Sequence, residues 1–550
     1  MTRREAWLTA LAIFAVAVAV RAVAATLVAF PTPEDTTYYW GVARNLVEGR
    51  GLVSDALWSY GTPARDPTSG LFGLFFPRPA FEIWLPLPAL LAVLPMTLLR
   101  STSYGAAQVV PVLLGALVPV LGWRIAADVA EERALPPGRA RTLAAGAGLV
   151  AAVFLPLVLH STLLDSTAAF GVPALAACLL MVRLARDPRG GRLTDPRLLA
   201  LGALIGIACL SRNEAAWVGI AWALMAWAGT AGATRATRLR MIAVPALVAL
   251  AVVGPWLVRS WLVFGTPLPG QAAANALSLS GFDIFAWHDP PTLARYLAAG
   301  PAEWIRQRID GLGHNLVSVL LVPGAPVGFI GLAALPWLLQ SRALRPLLLV
   351  SGLTFLVTTL AFPVATTWGT FLHASFPPQV LLLVASLVAL DAGIAALGRR
   401  LGWHRPIAWF GPLFAGFTAI LILAAGMPAY GRQASDIEAR YRDLGEQLAA
   451  AGAPLSSAEP VIANHPIWLA EVERVPTLAL PDEEPTAVVD LARTFGARLL
   501  VIDTDAHGRW PAVLDTDGPD AACFAPLTLD PAHARATGAD RFRAWRIVCP

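Results

Sequence analysis

The sequence of 550 residues contains no lysine, so all 41 of its basic residues are arginine. Chemistry that needs a lysine, such as Schiff-base formation or phosphate binding by a P-loop, is therefore excluded. Charge is scarce in general, since charged residues make up 14% of the chain and hydrophobic residues 56%, with a mean hydropathy of +0.61. An ordinary soluble globular protein does not have this composition. The composition predicts a polytopic α-helical membrane protein.

Cysteine is also rare, with four in the chain and none in a CxxC spacing that would indicate a metal site. Cys178 and Cys209 lie in apolar runs, where reduced thiols pack as small hydrophobes. Cys523 and Cys549 lie in the polar tail, where a disulfide is expected if the tail is extracytoplasmic. The spacing of histidines and acids reveals no metal site either, so the cofactor is unknown at this level. The arginines do not form a basic face interleaved with aromatic residues, so no nucleic-acid partner is predicted.

Long apolar runs, by contrast, are abundant. Runs of about 17 to 25 residues can cross a bilayer, and about eleven spans are predicted, at about 6–30, 105–123, 143–162, 166–182, 197–211, 214–232, 241–263, 318–340, 346–363, 376–395 and 406–428. A twelfth run, 81–98, carries Glu82 and three prolines. It is therefore predicted to be an interfacial or re-entrant helix and not a span.

The positions of the arginines predict the topology. They form clusters beside the apolar runs, and by the positive-inside rule these clusters belong in the cytoplasm. The clusters are Arg3/Arg4, Arg124/Arg133/Arg139/Arg141, Arg183/Arg186/Arg189/Arg192, Arg235/Arg238/Arg240, Arg342/Arg345 and Arg399/Arg400/Arg405. All these clusters can lie on the cytoplasmic side only if the 81–98 segment does not cross the membrane. We therefore expect a multi-pass protein of the cell membrane with a cytoplasmic N-terminus and an extracytoplasmic C-terminal domain.

Composition divides the chain into two regions. Residues 1–430 form the predicted transmembrane domain, with large external loops at 31–104 and about 264–317. Residues 431–550 hold 18 of the 37 acidic residues and alternate between helix and strand patterns. The predicted helices and strands of this tail are at 434–452, 460–464, 476–480, 486–497 and 498–505. The tail is therefore predicted to be a small α/β domain.

The first external loop opens with an acidic pair, Glu34 and Asp35, directly behind the first span. Apolar residues at helical spacing follow, among them Tyr39, and predict a helix on the membrane surface that ends at a pair of glycines. Carboxylates held against apolar surface are costly unless they are paired or used, so both are functional candidates. The alternative is that Asp35 or Thr36 only caps the helix.

Two arginines lie where a rigid guanidinium could grip a phosphate. Arg78 stands between prolines at the start of the predicted 81–98 helix, and Arg259 stands at the end of a span before a Pro/Gly exit. Their alternative roles are an interfacial anchor for Arg78 and a topological stop for Arg259.

Three further motifs place polar groups beside apolar runs. His160 and Asp165 share one short turn, Arg212 and Glu214 share another, and His373 lies in "TWGTFLHASF". Asp165 is a functional candidate whose alternative role is a helix cap. For Arg212 and Glu214 the alternative is a structural ion pair, and for His373 it is a satisfied interfacial histidine.

Taken in order, these pieces resemble the GT-C superfamily of polyprenyl-phosphate-dependent membrane glycosyltransferases, which includes protein O-mannosyltransferases and the aminoarabinose transferase of lipid A. The resemblance rests on the acidic pair Glu34/Asp35, on "YYWGVARNLVEGRG", on "PRPAF" and on Asp165 in the next external turn. The segments "LSRNEAAW" and "PWLVRSWLVFGTP" and the α/β tail extend it over nearly the whole chain.

The resemblance implies a GT-C-like fold and inverting transfer of a sugar from polyprenyl phosphate, at the outer face of the membrane. The acceptor is the hydroxyl or amine of a glycan, lipid or protein. It implies Asp35, or else Glu34, as catalytic base, with Asp165 positioning the acceptor or the base. The residues expected to bind the substrate and its phosphate are Arg78, Tyr38, Tyr39, Arg212, Glu214, Arg259 and His373. Because the usual pair begins with aspartate, the choice between Glu34 and Asp35 stays open.

The main alternative is transport, by a lipid-linked-sugar flippase or a secondary transporter. A membrane scaffold with a partner-binding tail is the third. Transporters commonly show paired repeats and ionisable residues at midmembrane. This sequence shows no internal repeat, and its acidic candidates lie at the predicted outer edge. Glycosyl transfer is therefore preferred.

Overall fold

The computed structural model describes residues 2–186, 195–228, 234–270, 272–403, 407–504, 510, 519–529 and 541–549. These residues are mostly helical. The first eleven helices are α1 (Arg3–Leu27), α2 (Glu34–Val47), α3 (Leu87–Leu98), α4 (Tyr104–Ala107), α5 (Val109–Gly115), α6 (Leu117–Glu132), α7 (Pro137–Val153), α8 (Leu155–Leu159), α9 (Ser166–Arg186), α10 (Pro196–Cys209) and α11 (Ala215–Ala228).

The second half of the chain continues in the same way. Its helices are α12 (Arg235–Phe264), α13 (Ala272–Leu277), α14 (Leu293–Gly313), α15 (Val327–Leu338), α16 (Arg345–Leu360), α17 (Pro363–Thr367), α18 (Thr370–His373), α19 (Phe376–Arg400), α20 (Phe410–Ala450), α21 (Pro466–Glu473) and α22 (Pro485–Phe495). Short 3₁₀ helices lie at Gly281–Phe285 and Pro519–Cys523, and a π-helix at His314–Leu321.

Within the described ranges, six helical stretches are long and apolar enough to cross a membrane, so the protein is a multi-pass membrane protein. They are Arg3–Leu27, Tyr104–Glu132, Ser166–Arg186, Arg235–Phe264, Phe376–Arg400 and Phe410–Ala450. Other predicted runs coincide with shorter helices, among them α10, α11, α15 and α16. The predicted number of eleven spans includes these shorter helices.

The 81–98 segment forms a helix later than expected. Helix α3 begins only at Leu87, because Pro86 and Pro88 stand at its N-terminal end. Its 12 residues extend about 18 Å, which is less than the ~30 Å of a hydrocarbon core. Arg78, predicted at the start of this helix, lies instead in a two-residue strand before it.

The acidic pair begins α2, as the sequence pattern predicts. The helix ends where glycines follow, and Gly49 has the positive φ of 81° that a residue with a side chain rarely adopts. Most of α2 is buried between α3 and α21, so other parts of the protein cover the helix, and its place at the membrane surface stays a prediction. The proposed cap is wrong, since Pro33 occupies the N-cap position and Asp35 lies inside the first turn.

In the part of the chain that the structure describes, ten short strands form three sheets. The strands are β1 (Val53–Ser54), β2 (Ala56–Leu57), β3 (Ala64–Arg65), β4 (Phe72–Gly73), β5 (Arg78–Pro79), β6 (Val461–Ala463), β7 (Thr477–Ala479), β8 (Leu499–Asp503), β9 (Phe524–Leu527) and β10 (Phe542–Ile547). In the loop at 31–104, β1 pairs with β5 and β3 with β4, both antiparallel.

The C-terminal region contains a six-stranded sheet with helices, which confirms the predicted α/β class. Its strand order is β2-β7-β6-β8-β10-β9. Strands β2, β7, β6 and β8 are parallel, whereas β10 runs antiparallel to β8 and β9 antiparallel to β10. The predicted strands of the tail appear as β6, β7 and β8, and the helix after β7 as α22. Strand β2 comes from the loop at 31–104, and local sequence patterns do not indicate this pairing.

A single helix joins the C-terminal region to the rest of the chain. Helix α20 runs unbroken for 41 residues, through Pro428, so the predicted last span and the first helix of the tail are one helix. Within the C-terminal region, Cys523 and Cys549 form a disulfide, as predicted. Apolar side chains pack on both faces of the sheet, because residues alternate along each strand: Ile462 and Leu500 belong to one cluster, Ala463 and Val501 to the other.

Candidate functional site

Asp35 reaches a histidine from a distant part of the chain. Its Oδ2 lies 3.2 Å from Nε2 of His373, which ends the short helix α18. Its Oδ1 accepts the backbone N–H of Thr36 at 2.8 Å. The carboxylate therefore has a fixed orientation at the start of α2, where the positive end of the helix dipole favours its negative charge.

Asp165 lies on the other side of the same histidine. Its Oδ2 is 3.4 Å from Nδ1 of His373 and 2.7 Å from Nδ1 of His160. Its Oδ1 accepts the N–H of Thr167 at 2.8 Å, so Asp165 also caps α9. Oδ1 therefore fills the capping role that was the alternative for Asp165, whereas Oδ2 faces the two histidines. We call the four linked side chains, Asp35, His373, Asp165 and His160, the acid–histidine network.

Burial and charge act in opposite directions in this network. Burial alone would lower the pKa of His373, but the carboxylates of Asp35 and Asp165 outweigh it and raise that pKa above the usual histidine value. Burial would raise the pKa of Asp165, but His160 and His373 outweigh it and hold that pKa well below the usual carboxyl range. The network therefore favours ionised Asp165 and a positively charged His373.

Arg212 lies in the turn between α10 and α11 and supports the network through contacts with α9 and α18. It forms a two-pronged ion pair with Glu214, with N–O distances of 2.7 and 3.1 Å. It also donates to Oγ of Ser166 at 2.8 Å and to the carbonyl of Thr370 at 3.1 Å. The structural ion pair considered for these residues is therefore present. Since Ser166 follows Asp165 and Thr370 lies three residues before His373, Arg212 ties together the two segments that carry network residues.

The two tyrosines of α2 are buried and face different neighbours. Tyr39 lies one turn after Asp35, and burial followed by the nearby Asp35 charge raises its pKa well above the usual value. Tyr38 accepts the backbone N–H of Phe81 at 2.7 Å and packs on Trp84, with ring centroids 4.4 Å apart. Tyr38 therefore contacts the segment that leads into α3.

The same segment contacts Arg259, at the end of α12. Its Nη1 donates to the carbonyl of Ala80 at 2.9 Å, and its guanidinium lies over the rings of Trp256 and Phe264, 4.8 and 5.3 Å from their centroids. No acidic residue in the described part of the chain forms an ion pair with Arg259. Among the described residues, therefore, no carboxylate neutralises its charge.

Arg78 is in a different situation. Its side chain is 2% exposed, and its guanidinium pairs with Glu82, with Nε 2.8 Å from Oε2. It also donates to the carbonyl of Thr62. The ion pair therefore neutralises the Arg78 charge within the 31–104 loop, away from the acid–histidine network. Of the three arginines predicted to bind phosphate, Arg78 and Arg212 have acidic partners, and Arg259 has none among the described residues.

Glu34 points away from the network. Its Oε1 lies 2.8 Å from Nδ1 of His465, and its Oε2 accepts the N–H of Ile467 at 3.3 Å. Both partners belong to the C-terminal domain. Consecutive helical residues are about 100° apart around the axis, which explains why Glu34 and Asp35 meet different surroundings.

Among the residues that the structure describes, one group of side chains could hold a metal ion. His160, Asp165 and His373 each offer a ligand atom, and these atoms lie within 4.8 Å of one another. Two imidazoles and a carboxylate suit a divalent transition metal such as zinc. Spacing along the sequence did not reveal this group, because His373 comes from a segment far from the other two. The signal that was available is His160, which shares the turn of Asp165.

Solved structures show what the fold is similar to. An oligosaccharyltransferase from Archaeoglobus fulgidus, with a tethered acceptor peptide, matches with a TM-score of 0.55 and 13% identity over 95% of this chain and 73% of that one. ArnT from Cupriavidus metallidurans, bound to undecaprenyl phosphate, matches with a TM-score of 0.53 and 13% identity over 99% and 98%. The chain has the GT-C fold. The resemblance drawn from the sequence is thereby confirmed at the level of fold.

The GT-C match extends through the transmembrane helices and the C-terminal sheet. The A. fulgidus oligosaccharyltransferase in complex with zinc and sulfate also matches, with a TM-score of 0.56 and 14% identity over 94% of this chain and 72% of that one. No protein-family model matches the sequence, and no curated protein matches it.

Proposed function

We propose that this protein is an inverting membrane glycosyltransferase that moves a sugar from a polyprenyl-phosphate donor to an acceptor hydroxyl or amine. The observation that carries the proposal is the orientation of Asp35 by His373 inside a GT-C fold. The structural neighbours support the choice of donor, since one was solved with undecaprenyl phosphate and another with dolichol-phosphate. The acceptor is a glycan, a lipid or a protein.

Asp35 is the proposed general base. As the acceptor oxygen or nitrogen attacks the anomeric carbon, its proton passes to the Asp35 carboxylate. The bond between that carbon and the phosphate oxygen breaks, and the electron pair leaves with polyprenyl phosphate. Attack from the face opposite the leaving group inverts the anomeric centre. Glu34 is not suited to this step, because His465 and Ile467 occupy its carboxylate.

The other residues orient and neutralise charge. Asp165 holds His373 against Asp35, and Arg212 fixes the segments that carry both. Arg259 is the proposed ligand of the departing phosphate, because no described acidic side chain neutralises it and an arginine suits phosphate oxygens. The roles proposed from the sequence for Arg78 and Glu214 have less support, because the two residues pair with Glu82 and Arg212.

A divalent cation fits the donor set of His160, Asp165 and His373. The three side chains would hold such an ion once His160 and His373 are neutral, since a protonated imidazole cannot bind a metal. The ion would then supply positive charge for the departing phosphate. Whether transfer needs this ion is decided by measuring transfer after chelation and after adding back zinc or manganese.

The proposed topology has the N-terminus in the cytoplasm and the catalytic residues outside. The disulfide between Cys523 and Cys549 supports an oxidising compartment for the C-terminal domain. The arginine clusters support the opposite side for the loops between spans. A reporter fused near residue 102 tests this arrangement, and a cytoplasmic signal there would contradict it.

The test of function uses the full chain in proteoliposomes with a panel of synthetic polyprenyl-phosphate sugars. Release of polyprenyl phosphate and gain of mass on the acceptor are both followed. Removing a general base typically costs ~10² to 10⁴-fold, so Asp35→Asn should lose at least that much activity, and Glu34→Gln much less. Asp66→Asn, at a partly exposed aspartate of the same loop, is the matched control. Full activity in Asp35→Asn, or movement of the intact donor across the bilayer without cleavage, refutes the proposal.

A further inference from the structure

The C-terminal domain grips α2 on a face that does not carry Asp35. Glu34 contacts His465 and the amide of Ile467, as described above. Further along the helix, Arg44 pairs with Glu471 at 2.5 Å, and both side chains are buried. The first pair joins α2 to the start of α21, and the second joins it to the last turn of α21. The helix that carries Asp35 is therefore held at two points by the C-terminal domain.

The contact between the two helices is close. Glu34, Gly41 and Glu48 recur every seven residues, so they lie along one stripe of α2. A Cβ atom at Gly41 would overlap the Glu471 carboxylate. At the end of the stripe Glu48 pairs with Arg474 at 2.8 Å. The close contact at Gly41 prevents α2 from moving toward α21, and the pairs at Glu34, Arg44 and Glu48 resist movement away from it.

The loop after α2 is fixed to the same domain. Strand β2 lies parallel to β7, and the N–H of Thr477 donates to the carbonyl of Asp55 at 2.9 Å. The hydroxyl of Thr477 donates to the carbonyl of Pro466 at the start of α21. The domain therefore holds both α2 and the chain that leaves it.

We propose that His465 and Glu471 are positioning residues for Asp35, which act by holding α2 from the side of the C-terminal domain. The inference rests on the proposed function, which makes Asp35 the base. It gives the acidic pair two separate tasks: Asp35 faces the acid–histidine network, and Glu34 docks the helix. A reacting group displaced by about 1 Å can lose about 10²-fold in rate, so a clamp on the back of α2 controls catalysis without touching substrate.

The first test separates turnover from binding. His465→Ala should lower kcat about 10- to 100-fold and leave the KM for the polyprenyl-phosphate donor unchanged. His465→Asn should restore most of the kcat, because its amide nitrogen replaces Nδ1 opposite Glu34, whereas His465→Gln places its amide further out and should not. Arg498→Ala is the control, since it breaks an exposed pair with Glu459 in the same domain.

The second test adds a methyl group at Gly41, in the contact between α2 and α21. Gly41→Ala should lower kcat in the same way, because the added Cβ pushes the Glu471 carboxylate away. Gly105→Ala is matched to it, as a Cβ at this helical glycine meets no atom within 4 Å. Gly105→Ala should leave kcat unchanged.

A third measurement does not depend on activity. Hydrogen exchange of the full-length protein reports opening of the α2 amides, and these should exchange about tenfold faster in His465→Ala than in wild type. Unchanged exchange in α2, or faster exchange with an unchanged kcat, overturns the positioning role and leaves the proposed function intact. Full activity of Asp35→Asn overturns the proposed function itself, whatever the exchange shows.

Discussion

Glu471 gives a quantitative prediction for the dependence of stability on pH. It is 7% exposed and lies against Arg44, in an ion pair whose two side chains are buried. Burial raises the pKa of Glu471 to about 7 from a usual value of 4.5, although Arg44 acts in the opposite direction. The folded protein therefore binds the Glu471 proton more tightly than the unfolded chain does.

The sign and size of the effect follow by linkage. A carboxyl with a raised pKa in the folded state contributes stability that is fully present below about pH 4.5 and is lost as the pH rises through 7. A difference of about 2.5 pKa units corresponds to about 3 kcal/mol at 1.36 kcal/mol per unit. The free energy of unfolding should therefore fall by up to about 3 kcal/mol between pH 5 and pH 8 through this group alone.

Glu471→Gln isolates the contribution, because glutamine cannot ionise. We expect similar free energies of unfolding for wild type and variant near pH 5, and a more stable variant at pH 8. Denaturant unfolding in detergent, followed by tryptophan fluorescence, measures the difference at each pH. Glu438→Gln, in a largely exposed pair with Arg442, should give no such pH-dependent gap. A constant gap between Glu471→Gln and wild type from pH 5 to pH 8 would refute the reasoning.

Three further predictions concern other parts of the molecule. His373→Ala should lower kcat for transfer by about 10²-fold, because Asp35 loses the imidazole that orients it; an unchanged kcat contradicts this. Arg259→Ala should weaken binding of polyprenyl phosphate about 10- to 100-fold, the loss expected for one charge-assisted contact, and equilibrium binding in nanodiscs measures it. Replacing Cys523 and Cys549 by serine should lower the free energy of unfolding of the C-terminal domain by about 2 to 4 kcal/mol, as read by the same fluorescence assay.

Local patterns in the sequence predicted the elements well. The acidic pair at the start of a helix, the glycine stop after it and the three strands β6, β7 and β8 all follow from periodicity and from turn residues. Asp165 stood out because a carboxylate abutted an apolar run. These signals lie within a few residues of one another, where chain sterics and amphipathic patterning act directly.

Local patterns do not predict contacts between residues that lie far apart in the sequence. His373 was noted as a single histidine, and only the folded chain brings it between Asp35 and Asp165. His465 lies in the C-terminal domain, and no local feature linked it to Glu34. Arg78 is predicted to bind phosphate because the sequence does not show that Glu82, four residues later, is its ion-pair partner. Burial then made their ion pair necessary.

The parallel pairing of β2 with β7 has a practical consequence for anyone who wishes to study the C-terminal region alone. A fragment made from residues 431–550 would lack its first strand, so β7 would present an unpaired edge. Open edges of this kind template association with other chains. A soluble fragment should therefore carry the β2 segment grafted through a linker, or an edge-protecting substitution on β7, if it is to remain monomeric.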